Sequence, residues 1–291
     1  MENDRIKALI SLLDDPDEQV VTMVSRNLMD EGTDIIPRLE EAWEGSFNQL
    51  FQSRCENIIN DIQFDTLKRE MVKWCRHERG NLLKGIYLIA RFQFPELKYQ
   101  VLENEIEVIV KDVWLEINNN LTALEKVRIM NKMIFEIHGF SANSAHIFSP
   151  YNNYINHVLD TKKGNALTLA ALYMTVAERL HIPIQGVNLP NNFIMAYMDE
   201  YVYGDLFRDN ILFYIDPLSG GTVLGRREID HFLGRMKIQP QESFYVPCDH
   251  IKLMQRLLST LVISYDKENQ KDKIERIKEL FSIITTETTA D

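Results

Sequence analysis

Cysteine is scarce in this chain: three in 291 residues, Cys55, Cys75 and Cys248. They are too few and too scattered for a disulfide framework or a zinc site, and they point to reduced thiols and a cytoplasmic protein. A basic-then-apolar leader is missing too. The first residues, MENDRIKALI, are charged. Long hydrophobic runs are also absent. The richest, ALTLAALYMTVAERL, ends in charges before it reaches spanning length, so no membrane association is expected. Positive charge is in deficit, with 32 Lys and Arg against 43 Asp and Glu and a net charge of −11. Phosphate backbones and anionic lipids are repelled by such a chain, which argues against nucleic acid as a partner. Lys162 and Lys163 stand together in this acidic background. They read as two solvated lysines on a loop, with a local basic patch as the alternative. Gly-rich phosphate loops, HExxH, paired CxxC and EF-hand spacings are all missing, so neither cofactor nor metal is expected. Asp14-Asp15-Pro16-Asp17 is too short for a calcium loop and reads as a turn with an N-cap.

What is present is mostly helical periodicity. Apolar residues make up 45% of the chain, enough for one large core or two smaller ones. Near the N-terminus, Leu9, Leu12 and Leu13 mark one face, Val20, Val24 and Leu28 a second, and Ile35, Ile36 and Leu39 a third. An Asp-Pro turn and Gly32 punctuate them. The pattern resembles a HEAT-type helical repeat of about one and a half units, too few to bury both faces unaided. It reads either as a protein-binding surface or as a helical cap. Residues 47–77 predict a long helix or a broken pair, with Phe47, Leu50, Phe51, Ile58 and Ile62 on one face. Further helices are expected at 81–92, 98–117 and 122–137.

After Gly139 the pattern changes. A helix is expected from Asn165 to Leu180, its residues Leu167, Leu169, Leu172 and Val176 reading as core. The runs IQGVNL, FIMAYM and ILFYID then alternate with turn residues and read as strands. A helix near Arg226–Arg235 and a C-terminal antiparallel pair turning near Lys267–Lys271 complete the expectation. The class is α+β: mostly helical, with a small antiparallel sheet packed on a helix and helical N- and C-terminal extensions. The expected division is a HEAT-like segment 1–45, a helical lead-in 46–120, a core 121–245 and a C-terminal helix pair 246–291.

Three separated motifs stand in order in the middle of the chain: SPYNNYINHVLDTKKGNALTLAALY, then GVNLPNNFIMAY, then IDPLSGGTVL. Over about residues 80–265 they resemble the SirB1-like family of the transglutaminase-like superfamily. In that family the C-terminal helices often continue in tetratricopeptide-like fashion, and one such pair is legible here. The resemblance implies a papain-like core and its logic: a Cys at a helix start, a His on the next strand, an Asp on the strand after. The physics fits that order. A helix N-terminus lowers a thiol's pKa, the imidazole takes its proton, and the carboxylate fixes the imidazole's tautomer.

Carried onto this chain, the family's Gly-x-Cys falls at Gly164-Asn165-Ala166, its Pro-Gly-His-Phe at Pro190-Asn191-Asn192-Phe193, and its Asp-Pro at Asp216-Pro217. The triad-equivalent positions are therefore Ala166, Asn192 and Asp216. Alanine offers no nucleophile, and an asparagine amide accepts no proton near neutral pH. No catalytic residue is expected. The chain reads as a non-catalytic pseudoenzyme, a protein-binding or scaffolding and regulatory module with a protein or peptide partner. Asn192, Asp216 and Asn165 are its candidate ligand-binding groups. The alternative is a cysteine-free amide hydrolase or acyltransferase with displaced catalytic residues, which needs a nucleophile and a base beside Asp216. Thr168 carries a hydroxyl two residues beyond Ala166, but it reads as a first-turn hydrogen bond or packing. Cys248-Asp249-His250 resembles a triad written in a row, although neighbouring side chains diverge and Asp249 reads as a helix cap. His157 precedes the site helix. Asn191 and His181 stand where the family has glycine, and Asn and His are tolerated where φ is positive.

Overall fold

The structure is a computed structural model and describes residues 2–199 and 210–289. Contacts divide the chain into two compact units, 1–70 and 71–291.

The first unit is helical. α1 (Glu2–Ser11), α2 (Glu18–Asp30), α3 (Ile36–Glu44) and the start of α4 (Gln49–His77) enclose one apolar cluster, among whose buried residues are Ile6, Ile10, Leu13, Val24, Leu28, Leu39 and Ile58. Asp17 caps α2, accepting from the Gln19 N–H at 2.9 Å. Arg54 closes the preceding turn by donating to the Leu13 and Asp15 carbonyls and to Glu18. Two expected faces need correction. The buried residues are Ile6 and Ile10 of α1 and Leu13 of the turn after it. Leu12 is exposed because α1 stops at Ser11 and residues 12–14 wind as a 3-10 turn, which rotates Leu12 outward. Phe47 and Leu50 are also exposed. Asn48 caps α4 through the Leu50 N–H, so Phe47 lies outside the helix, and the buried stripe runs Phe51, Cys55, Ile58, Ile62.

The second unit is built around one helix. α5 (Leu82–Arg91), α6 (Tyr99–Glu116), α7 (Ala123–Asn131) and α8 (Ile155–Thr161) precede it, with the short β1 (Ser141–Ala142) and β2 (Lys163–Gly164) pairing in parallel. α9 (Ala166–Arg179) follows, buried from Leu167 to Ala177. Being apolar on nearly every side, it can only sit inside. β3 (Ile184–Leu189), β4 (Asn192–Met198), β5 (Ile211–Asp216) and β6 (Thr222–Leu224) form an antiparallel meander in that order. α10 (Arg226–Arg235) covers one face of it through Ile229 and Leu233. α9 packs on the other face. α11 (His250–Lys267) and α12 (Lys271–Thr289) pair at the C-terminal end.

The helix expected at 122–137 is not uniform. α7 ends at Asn131, and residues 132–137 form a π-helical turn, with the His138 N–H reaching the Met133 carbonyl at 2.8 Å. Among the described residues, no helix is long and apolar enough to cross a membrane.

Candidate functional site

α9 begins at a junction fixed from several sides. Asn165 is its N-cap, and its Oδ1 accepts from the Leu167 and Thr168 N–H groups, each at 3.0 Å. Its side-chain amide donates to Asn153 Oδ1 at 2.8 Å. Thr168 completes a capping box by accepting from the Asn165 N–H at 3.1 Å, while its own hydroxyl donates to the Asn152 carbonyl at 2.8 Å. Asn152 and Asn153 are buried, on a 3-10 turn at Pro150–Asn153. Asn152 donates to the His146 carbonyl and accepts from Asn143. Gly164 stands where any Cβ would lie 2.7 Å from Thr168 Oγ1, which is why this position carries no side chain.

Ala166 is the first residue of α9, and a methyl group is all it brings there. Thr168 is buried and its hydroxyl is consumed by the cap, as its sequence position suggested. His157 lies on α8 against the ring of Tyr151, centroids 5.1 Å apart, and makes no bond to Asp216.

Asn192 opens β4. Pro190 and Asn191 turn the chain between β3 and β4, with Asn191 at φ 56°. A left-handed residue after proline suits a type II turn. His181, at φ 54°, is the second of these glycine-replacing positions. Asn192 is half-buried, and its Oδ1 accepts from the Phe193 N–H at 2.8 Å. Its amide nitrogen has no protein partner among the described residues. Asp216 ends β5 and caps the turn at Pro217–Ser219, accepting from the Leu218 N–H at 3.0 Å and the Ser219 hydroxyl at 2.7 Å. Gly220 and Gly221 follow at φ 63° and 78°. The Gly221 carbonyl is held by the Asn131 amide at 2.7 Å, and Asn131 Oδ1 accepts from the Tyr173 hydroxyl at 3.0 Å. Asn131 was not legible as a site residue. It is a polar side chain on a helix, and nothing near it in sequence announces its partner.

The structure brings two of the three triad-equivalent positions to one end of one sheet. Asp216 lies one residue beyond the Met195–Ile215 pair, at the end where β4 starts. Asn192 pairs with Leu189, and both belong to the face that carries Ile194 and α10. The opposite face meets α9: a Cβ on Gly186 would touch Phe193 and Met174. The turn after Asp216 packs against both α9 and β1. Asn192 and Asp216 are each partly exposed and are not bonded to each other. No hydrogen bond joins either of them to the start of α9.

A cavity of about 880 Å³ lies elsewhere, around the last turn of α9. Glu178, Ile184, Pro247, Cys248 and His250 are among its walls. The row Cys248-Asp249-His250 is no triad. The Cys248 N–H bridges to the Gly186 carbonyl, and Asp249 caps α11 through the Lys252 N–H at 2.9 Å, as its sequence position suggested. His250 turns to Glu178, 2.9 Å from Nε2, and to the Arg79 carbonyl, 2.9 Å from Nδ1. Burial pushes the Cys248 thiol up to about 12. Burial pulls the His250 imidazolium down, but the hydrogen bond and charge of Glu178 and the Arg79 carbonyl outweigh it, so its pKa is raised. Acceptors on both nitrogens favour the protonated ring, and neither nitrogen is turned to the Cys248 thiol.

The chain is similar to several known proteins. A UPF0162 protein of Xylella fastidiosa (strain 9a5c) is 27% identical over 206 residues, 67% of this chain and 68% of that protein. UPF0162 protein YchA of Escherichia coli (strain K12) is 26% identical over 205 residues, 69% of this chain and 72% of that one. Human F-box only protein 21 is 27% identical over 135 residues, 46% of this chain but 20% of its own length. No solved structure matches. The family described as the transglutaminase-like superfamily matches residues 100–259, more than half of the sequence and the whole stretch from α6 through the sheet into α11, and the chain belongs to that superfamily.

Proposed function

We propose that this chain is a SirB1-like member of the superfamily with a degenerate triad, acting without catalysis as a protein-binding or scaffolding module in the cytoplasm. The observation that carries the reading is that the polar side chains heading α9 serve its cap. Asn165 and Thr168 are spent on the cap, Ala166 has nothing to ionise, and Asn192 cannot serve as a base. The backbone devices around the positions persist nonetheless: the left-handed Asn191, the glycines after Asp216 and the Asn131 brace. A frame kept without its chemistry is a surface. The likeness to F-box only protein 21 supports a modular role, since the shared region makes up only a fifth of that protein.

The displaced-enzyme reading has in its favour a hydroxyl bonded to Asp216, that of Ser219. That bond closes a three-residue turn, no imidazole joins it, and a carboxylate alone is a weak base for a serine hydroxyl. The test is affinity capture with the intact protein and with Asn192→Trp, which fills the end of the sheet, alongside hydrolysis assays on amide and ester substrates. A partner kept by the intact protein and lost by the variant supports the module. Turnover by the intact protein that Asp216→Asn abolishes overturns it.

A further inference from the structure

Arg79, Glu178 and His250 line the cavity at the end of α9 together. They come from the turn after α4, the last turn of α9 and the first residue of α11. His250 ties these three places to one another. Its Nε2 meets Glu178 Oε1 and its Nδ1 meets the Arg79 carbonyl, each at 2.9 Å. Two acceptors on two ring nitrogens call for two N–H donors, and only the protonated imidazole has both. The neutral ring has one. On losing its proton, His250 must give up one of the two contacts.

We propose that His250 is a pH-operated latch in this cavity wall: the protonated ring joins Glu178 to the Arg79 carbonyl, and the neutral ring keeps Glu178 and releases the carbonyl. The carboxylate wins because a charged acceptor holds an N–H more strongly than a neutral one. With the remaining proton on Nε2, the lone pair of Nδ1 points at the carbonyl oxygen, and the turn at Arg79 and Gly80 moves off it. The charges around the ring fit this order. Glu178 faces it from α9 and Asp249 from the start of α11. The Arg79 guanidinium is turned to the Cys75 and Glu287 carbonyls, and the Glu287 carboxylate of α12 is held by Arg76. Burial lowers the ring's pKa, and Glu178, the Arg79 carbonyl and Asp249 raise it beyond that loss. The latch is therefore closed below the ordinary imidazole pKa of about 6.5 and opens as pH rises through the higher folded value. The Cys248 thiol in the same wall is pushed up to about 12, so it stays neutral over this range. The latch is independent of the proposal for Asn192 and Asp216.

The experiment is NMR of the full chain from about pH 5 to about pH 9. The ring nitrogens of His250 give its protonation and its tautomer. The Gly80 amide and the Trp74 indole report on the turn, since Trp74 Nε1–H donates to the Asn81 carbonyl at 2.9 Å. One common midpoint for ring, amide and indole is expected, with the proton of the neutral ring on Nε2. Glu178→Gln should lower all three midpoints together. His250→Gln should leave Gly80 and Trp74 flat. His77→Gln and His181→Asn remove exposed imidazoles next to the turn and to α9, and should leave the titration in place. Asparagine is tolerated at the φ of 54° that residue 181 adopts. A neutral ring with its proton on Nδ1 would mean that the Arg79 carbonyl is kept, and overturns the inference. Flat Gly80 and Trp74 signals in the native protein overturn it too, as does a titration of theirs that survives His250→Gln. If His250→Gln does not fold, the Glu178→Gln comparison decides: midpoints of the turn and the ring that part company overturn the latch.

Discussion

The side-chain amide of Asn131 holds the carbonyl of Gly221 at 2.7 Å across 90 positions of sequence. The bond ties the end of α7 to the turn that follows Asp216, and the Tyr173 hydroxyl of α9 locks the amide's other end. The turn that Asp216 caps is therefore held by α7 and, through Tyr173, by the buried α9.

Gly221→Ala meets two obstacles at once. Its φ is 78°, and its Cβ would overlap Asn131 Oδ1. A loss of about 2 kcal/mol or more is expected in chemical denaturation. Asn131→Ala alone loses its bonds to Gly221 and Tyr173, so the steric part is read from a double-mutant cycle: the two losses should sum to more than the loss of the double mutant, and strict additivity would show that the overlap is not the cause.

Asn165→Ala removes the cap of α9 and strips Asn153 Oδ1, on a buried residue, of its donor. The two effects point to a loss of about 2 kcal/mol, above the ~1 of an exposed cap. Asn165→Asp keeps the cap oxygen but loses the donor to Asn153, and should fall between. Urea midpoints of the three proteins rank them directly.

His250 makes stability depend on pH with a definite sign. Its folded pKa is raised above the unfolded value, chiefly by Glu178 once the opposing effect of burial is overcome. The contribution is therefore complete below about pH 6.5 and lost as pH rises through the folded pKa. The Tm should fall between pH 6 and pH 9 in the native protein, and His250→Gln should flatten that slope. An unchanged slope would place the titrating group elsewhere.

The thiols are expected to be inert. Burial pushes Cys55 and Cys75 up to about 11 and Cys248 up to about 12. The native protein should react slowly with a disulfide reagent at pH 8 and expose all three thiols on unfolding. Ala166→Cys would place a fourth at the head of α9, where the helix N-terminus lowers a thiol below the ordinary ~8.5. Alkylation rate against pH distinguishes it. A native cysteine that reacts as fast at pH 7 would revive the displaced-enzyme reading.

Much of this molecule was fixed locally and was legible in the sequence. The strands at 184–189 and 211–216 and the helix at 226–235 follow from short-range periodicity and turn residues. The burial of α9 follows from its composition, and the left-handed Asn191 and His181 from the tolerance of those side chains at positive φ. Faces at element ends were less legible. Leu12, Phe47 and Leu50 point outward because a 3-10 turn and an N-cap shift the phase by a residue or two.

Tertiary structure decided the rest, because it depends on partners far apart in sequence. Whether Asn192 and Asp216 share a sheet face depends on strand register. That His250 belongs to Glu178 and not to Cys248 depends on where α9 ends. The brace by Asn131 depends on which helices meet. A sequence sets the local preferences of each element, but hydrogen bonds and charges are satisfied or left unmade only when the elements close around them.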